Sequence, residues 1–295
     1  MTRPLLISVA FACLPPPARA DKPADIFAHD NLVAWCIVPF DAKKRTPAER
    51  VEMLQKLGFK KYAYDWRAEH LATFDEEVTL LQKAKIELTA VWFPAGLGAD
   101  AQKLLAVINK HEVKPQLRIT MGEPAGADRA AKVEAAAKAI RPIAEEAAKL
   151  GCTVALYNHG GWFGEPANQV AIVEALKLKN VGIVYNQHHG HDHFDTFPEL
   201  LKLMKPHLLA VNLNGSVKGG DKAGKKIMPL GTGELDVKML TAIRDSGYAG
   251  PIGILGHTQD DAAERLADNL DGLKWLLPQL AGKMAGSRPT YRTWK

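Results

Sequence analysis

Six of the chain's ten histidines fall in three short stretches. One is Asn158-His159. The second is the run Asn186-Gln187-His188-His189-Gly190-His191-Asp192-His193. The third is His257, two residues before Gln259. Imidazole changes charge near neutrality, so such groups serve as acids, bases or metal ligands. Other segments add Asp65 with Arg67, Trp92, Glu123, Asn212 and Asn214. A sugar hydroxyl both donates and accepts, and a sugar ring stacks on aromatic faces. Amides, imidazoles and indoles therefore suit a carbohydrate. The competing reading is a rim of polar loop tips facing water. A His-rich tract can also bind a transition metal. Consecutive histidines on one loop rarely converge on one ion, so His159, His189 and His257 are the set that could. The stretch from Asn214 to Lys226 is Gly-rich and basic. It reads either as a solvated loop or as a lid whose Lys218 points inward to clamp an anionic or oxidised sugar.

These residues need elements to hold them. Strand-like and helix-like segments alternate eight times. The expected strands are Leu32 to Val38, Lys61 to Asp65, Ile86 to Phe93, Gln116 to Met121, Val154 to Tyr157, Val181 to Tyr185, Leu208 to Leu213 and Ile252 to Leu255. They are short apolar runs without alternation, as strands buried on both faces are. Thr46-Pro47-Ala48-Glu49 carries a cap, a first-turn proline and an early acid, and opens the first helix. Further helices are expected over Phe74 to Ala84, Asp100 to Lys110, Asp128 to Leu150, Pro166 to Leu178, Phe197 to Met204, Leu235 to Ser246 and Asp260 to Leu277. Eight βα units in 295 residues predict an α/β chain folded as one (β/α)8 TIM barrel. An open doubly wound sheet is the alternative. It would carry a Gly-rich phosphate loop after strand one, where this chain has Pro39-Phe40-Asp41-Ala42-Lys43.

In a parallel barrel the chemistry sits at the C-terminal strand ends. That rule gathers Asp65, Arg67, Trp92, Glu123, Asn158, His159, Asn186, His188, His189, Asn212, Asn214 and His257 at one mouth. Residues 1–20 read as a signal peptide. Arg3 precedes an apolar run from Leu5 to Leu14, three prolines follow, and Ala18-Arg19-Ala20 offers a cleavage site. The expectation is a periplasmic or secreted protein, with a barrel over 21–282 and a short basic tail over 283–295. The apolar run is too short for a membrane span. Cleavage would leave Cys36 and Cys152 on separate strands, expected unpaired. The net charge of +5 is spread along the chain and gives no indication of a nucleic-acid partner.

Four segments carry a family resemblance. They are Val154-Ala155-Leu156-Tyr157-Asn158-His159-Gly160-Gly161, Val181 to His189, Leu230-Gly231-Thr232-Gly233-Glu234-Leu235-Asp236, and Ser246 to Ile254. With them the chain resembles the xylose-isomerase-like TIM barrels of the sugar phosphate isomerase/epimerase group. The resemblance implies a carbohydrate substrate and a divalent metal held by Glu, Asp, His and Glu at the ends of strands five to eight. The metal polarises a carbonyl, and two Glu residues move the proton beside it. Here those positions read Tyr157, Asn186, Asn212 and Leu255, which do not support a divalent cation. His189 and, less closely, Lys218 keep the substrate-binding pattern. The expectation is thus an isomerase/epimerase-like or lyase barrel acting on a carbohydrate or keto-sugar by divergent chemistry, with His159, His189 or His257 as acid/base groups. The alternative is a carbohydrate-binding barrel without catalysis. Related barrels also include DNA-repair endonucleases, whose cluster of acids and histidines this chain lacks.

Overall fold

The computed structural model describes residues 25–295. The expected signal peptide lies outside them. Eight strands run in chain order: β1 Leu32–Trp35, β2 Lys61–Tyr64, β3 Glu87–Trp92, β4 Gln116–Ile119, β5 Thr153–Tyr157, β6 Val181–Asn186, β7 Leu208–Leu213 and β8 Ile252–Leu255. Each pairs in parallel with the next, and β8 returns to β1 with Leu32 beside Ile252 and Trp35 beside Leu255. The sheet is a closed barrel, as the alternation predicts.

Helices alternate with the strands: α1 Pro47–Lys56, α2 Phe74–Lys83, α3 Ala99–Lys110, α4 Arg129–Lys149, α5 Gly161–Gly164, α6 Pro166–Leu176, α7 Phe197–Met204, α8 Asp236–Asp245 and α9 Ala262–Leu280. The start of α1 is a capping box. Glu49 N–H donates to Thr46 Oγ1, and Thr46 N–H donates to Glu49 Oε2. The Asp128 carboxylate caps α4 and the Asp261 carboxylate caps α9, which is why α9 begins after Asp260. β1 stops three residues short of the expected end because Cys36 takes φ 57°, the left-handed region. The one-turn α5 follows the glycine pair Gly160-Gly161, both at positive φ, and reads as loop in the sequence.

Most of the core lies between the strands and the helix ring. A second cluster fills the barrel: Val33, Trp35, Cys36, Ala63, Ala90, Ala155, Tyr157, Val184, Ala210 and Leu255. Its lower layers are small because Arg118 shares the space. Arg118 is in register with Trp92 and Ala155, is fully buried, and sets its guanidinium 4.7 Å from the Trp35 ring. Cys36 and Cys152 are both free and buried. Residues 283–295, expected as a basic tail, pack back onto the barrel. Arg292 bonds Asp268 and Asp271, Tyr291 donates to Leu230 O, and Arg288 donates to Gly231 O. No helix of the described residues is long and apolar enough to cross a membrane.

Candidate functional site

A pocket opens at the C-terminal ends of the strands. β1 supplies Trp35, and the turn after it supplies Cys36 and Phe40. The segment after β2 supplies Asp65 and Arg67. β3 gives Trp92, β5 gives Tyr157 and then His159, the segment after β6 gives His188 and His189, and His257 follows β8. The cavity volume is about 50 Å³, room for a few waters. A sugar ring therefore needs rim side chains to swing outward. His159 is exposed and free to do so.

Aromatic rings build the wall. Tyr157 stands edge-on to Trp92 at 5.1 Å, and Trp35 lies 5.9 Å from Tyr157. Phe40 packs against His257 at 3.7 Å. The Tyr157 hydroxyl accepts from Trp35 Nε1 at 3.2 Å and from Asn186 Nδ2. Asn186 Oδ1 in turn meets His188 Nδ1 at 2.7 Å. With the Asn186 amide nitrogen turned to Tyr157, Nδ1 of His188 carries the proton and Nε2 is a buried acceptor without a partner among the described residues.

Four imidazoles form a chain across the mouth. His159 and His189 are 4.4 Å apart, His189 and His188 3.8 Å, and His188 and His257 5.5 Å. Burial and then His159 push His189 down to about 3. Burial and then Arg67 push His257 down to about 4. Burial also lowers His159 and, more strongly, His188. All four are neutral near pH 7. None bonds a carboxylate among the described residues. In that state each ring offers one hydrogen-bond donor and one acceptor.

Asp65 differs. Its Oδ1 accepts from Val38 N–H at 3.1 Å, and its buried Oδ2 has no partner among the described residues. Burial raises its carboxyl from 3.8 to about 6, against the pull of the Val38 bond and the Arg67 charge. Burial and then the Asp65 charge push the Cys36 thiol well above its usual value, so it is protonated. Arg67 Nη1 donates to the Asp65 and Trp66 carbonyls at 3.0 and 2.8 Å, and its guanidinium lies 5.3 Å from the Phe40 ring.

Of the residues singled out in the sequence, Asp65, Arg67, Trp92, His159, His188, His189 and His257 meet in this pocket. The others lie elsewhere. Asn158 stitches β5 to β6, accepting from Asn186 N–H at 2.7 Å and donating to Asn186 O at 3.2 Å. Asn186 sits behind Tyr157 and His188. Asn212 is fully buried inside the barrel, where its amide occupies the space a Cβ on Gly253 would take. Asn214 donates to Gly215 O and Lys226 O. Glu123 is exposed and paired with Lys132. Lys218 is 71% exposed, paired with Asp195, and not among the residues lining the pocket. The sequence pattern does not single out Trp35, Cys36 or Phe40 for the pocket, and it marks Tyr157 only as a vacated metal position. For Trp35 and Cys36 the signal was present, since both stand at a strand end. Among the described residues no three His, Cys, Asp or Glu side chains are arranged to hold a metal ion.

A closed parallel barrel with one aromatic and imidazole-lined mouth pocket defines the class of this protein. The chain belongs to the xylose isomerase-like TIM barrel family, whose pattern matches residues 51–278. No curated protein sequence matches it. Solved structures similar in fold include a 3-keto-D-glucoside 4-epimerase from E. coli, 14% identical, covering 84% of this chain and 99% of that one, with a TM-score of 0.63. A D-psicose 3-epimerase crystallised with D-fructose is 15% identical, covers 86% and 99%, and gives 0.58. An AP endonuclease of family 2 from Brucella melitensis is 17% identical, covers 80% and 96%, and gives 0.61. At these identities the likeness is one of fold.

Proposed function

We propose that the mouth pocket binds a carbohydrate bearing a carbonyl and moves a proton on the adjacent carbon, with Asp65 as the base. The observation that carries this reading is the Asp65 carboxylate. It lines the pocket, keeps Oδ2 unpartnered, and titrates near 6. A base poised near the working pH is what such a proton transfer requires. The epimerases of similar fold, named for a keto-glucoside and for psicose, support the substrate class.

The divalent metal of the family pattern has no fit in these residues. Tyr157 and Asn186 bond each other, the Asn212 amide is packed inside the barrel, and Leu255 is alkyl. A phenol, two amides and an alkyl chain bring no charge to a hard dication.

The chain's own groups supply a route. Asp65 Oδ2 takes the proton from the carbon beside the carbonyl. The C–H pair becomes a C=C bond, and the carbonyl π pair moves onto oxygen. The Tyr157 hydroxyl already accepts two hydrogen bonds, so its own proton is free to donate to that oxygen. The hydroxyl on that carbon passes its proton through Tyr157 to the former carbonyl oxygen and becomes the new carbonyl, while Asp65 returns its proton from the same side to the former carbonyl carbon. One carboxylate serves one face, so the reaction is a shift of the carbonyl between neighbouring carbons. Inversion would need a second group opposite.

The test is deuterium exchange in D2O, followed by NMR, with a 3-keto-glucoside and with D-psicose. Wild type is expected to exchange the proton beside the carbonyl, and Asp65→Asn to lose exchange while still binding. Stoichiometric binding with no exchange by wild type would replace this reading with a carbohydrate-binding barrel. The four neutral imidazoles, oriented by no carboxylate among the described residues, are the observation that favours that second reading.

A further inference from the structure

The geometry points to a carboxylate on the ligand: the pocket is built for a sugar acid, received by Arg67 at the rim, with Lys226 adding positive charge from outside the pocket. This deepens the reading above and rests on the same pocket. Arg67 is anchored by one edge only. Its Nη1 is spent on the Asp65 and Trp66 carbonyls, while Nε and Nη2 take no acceptor among the described residues. The Phe40 ring supports the guanidinium plane at 5.3 Å. A flat, supported guanidinium with one free edge is the shape that takes a carboxylate through two parallel hydrogen bonds.

The second cation comes from the long loop after β7. His191 Nε2 lies 3.0 Å from Lys226 O, and Asn214 Nδ2 donates to the same carbonyl at 3.4 Å. These bonds fix the Lys226 backbone beside the segments that follow β6 and β7, and the exposed Lys226 charge is felt at all four imidazoles. Lys226 has no ion-pair partner among the described residues. Lys218, the cation this loop was expected to turn inward, is spent on Asp195.

Two acids of the loops around the mouth are already paired: Asp41 is held by Arg45 and Glu123 by Lys132. Asp65 is the acid that lines the pocket, and Arg118 adds a positive charge beneath Trp35. The neutral imidazoles leave this excess uncancelled and offer donors and acceptors to hydroxyls. An anionic ligand enters with the field and a neutral one gains nothing from it.

The test is isothermal titration of the purified protein with D-glucuronate, its methyl ester, D-glucose and D-glucose 6-phosphate. Glucuronate is expected to bind about tenfold or more tighter than its ester or glucose, the size of one charge-assisted bidentate contact. Arg67→Gln, at an exposed position, is expected to collapse that ratio toward one with an unchanged Tm, and Lys226→Gln to reduce it. Equal binding of glucuronate and its ester overturns the inference. So does tighter binding of glucose 6-phosphate than of glucuronate, or a ratio untouched by Arg67→Gln. Loss of deuterium exchange would remove the proposed reaction and leave this preference standing. Equal binding would remove the preference and leave the reaction standing.

Discussion

Asp65 and Tyr157 do opposite jobs, and their environments show why. Burial holds the carboxyl near 6 and keeps the phenol protonated, far above neutrality. Exchange should therefore rise with pH through about 6 as Asp65 ionises, with a flat plateau above, and Tyr157→Phe should keep that inflection while lowering kcat about a hundredfold. A pH profile without the inflection, or a Phe variant with full kcat, would remove the respective role. The same carboxyl has a cost in stability. Its folded pKa lies above its unfolded one, so its contribution is complete below about 4 and is lost as pH rises through 6. Asp65→Asn should be more stable than wild type at pH 8 by on the order of 2 kcal/mol, with the gap closing toward pH 4. Urea melts at both pH values read this directly. How much of the site was legible follows the same geometry. Strand ends could be read from the chain, and they brought seven of the named residues to the mouth. The direction of each side chain could not. Neighbours on a strand point to opposite faces, so His159 reaches the pocket while Asn158, one residue earlier, turns into the sheet.

At the scale of elements, caps and breakers made the helix starts readable. α1 begins at its capping box and α7 covers its expected span, Phe197–Met204. Ends set by a single dihedral were not readable, as at Cys36. Nor was the role of the C-terminal segment, because its composition says only that it is basic. Its partners explain it. The Asp268 carboxylate is fully buried and accepts from Arg292 N–H, Thr293 N–H and Thr293 Oγ1. Burial works to raise its pKa, and these bonds outweigh it, so the group is held ionised. Tyr291 and Arg288 at the same time fasten Leu230 and Gly231, next to the buried Asp236 that gathers N–H bonds from Ser216, Gly231 and Gly233. Removing residues 283–295 would take away the bonds that hold Asp268 ionised, with the packing over it, and release the loop that carries Lys226. The expected loss is about 3 kcal/mol, with faster amide exchange over residues 228–236. A truncated chain as stable as the full one would show that the segment merely lies on the surface.

The whole barrel turns on one residue that sequence pattern alone does not assign. Gln116-Leu117-Arg118-Ile119 reads as a short strand with a stray cation, and its arginine could as well face water. Only the closed register puts Arg118 at the centre, and only then do Ala63, Ala90, Ala155 and Ala210 make sense as the space it needs. Its three guanidinium nitrogens have no hydrogen-bond partner among the described residues. Burial lowers its pKa to about 10, which still leaves it charged at pH 7. The Trp35 face offsets part of the desolvation, by about 2 kcal/mol for a dry cation–π contact. That is less than the several kcal/mol an isolated buried ion costs. The charge is therefore a net burden on the fold, while its volume is an asset. Two substitutions separate the terms. Arg118→Met keeps most of the volume and drops the charge, and should raise stability by about 1 kcal/mol. Arg118→Ala drops both and should lower it by about 3 kcal/mol through the cavity left behind. If both variants fell equally, the charge itself would be holding the barrel together. The Met variant also tests the link to function. Without the Arg118 charge below Trp35, the Asp65 carboxyl loses one of the cations that favour its ionised form, so the inflection in the exchange profile should move to higher pH.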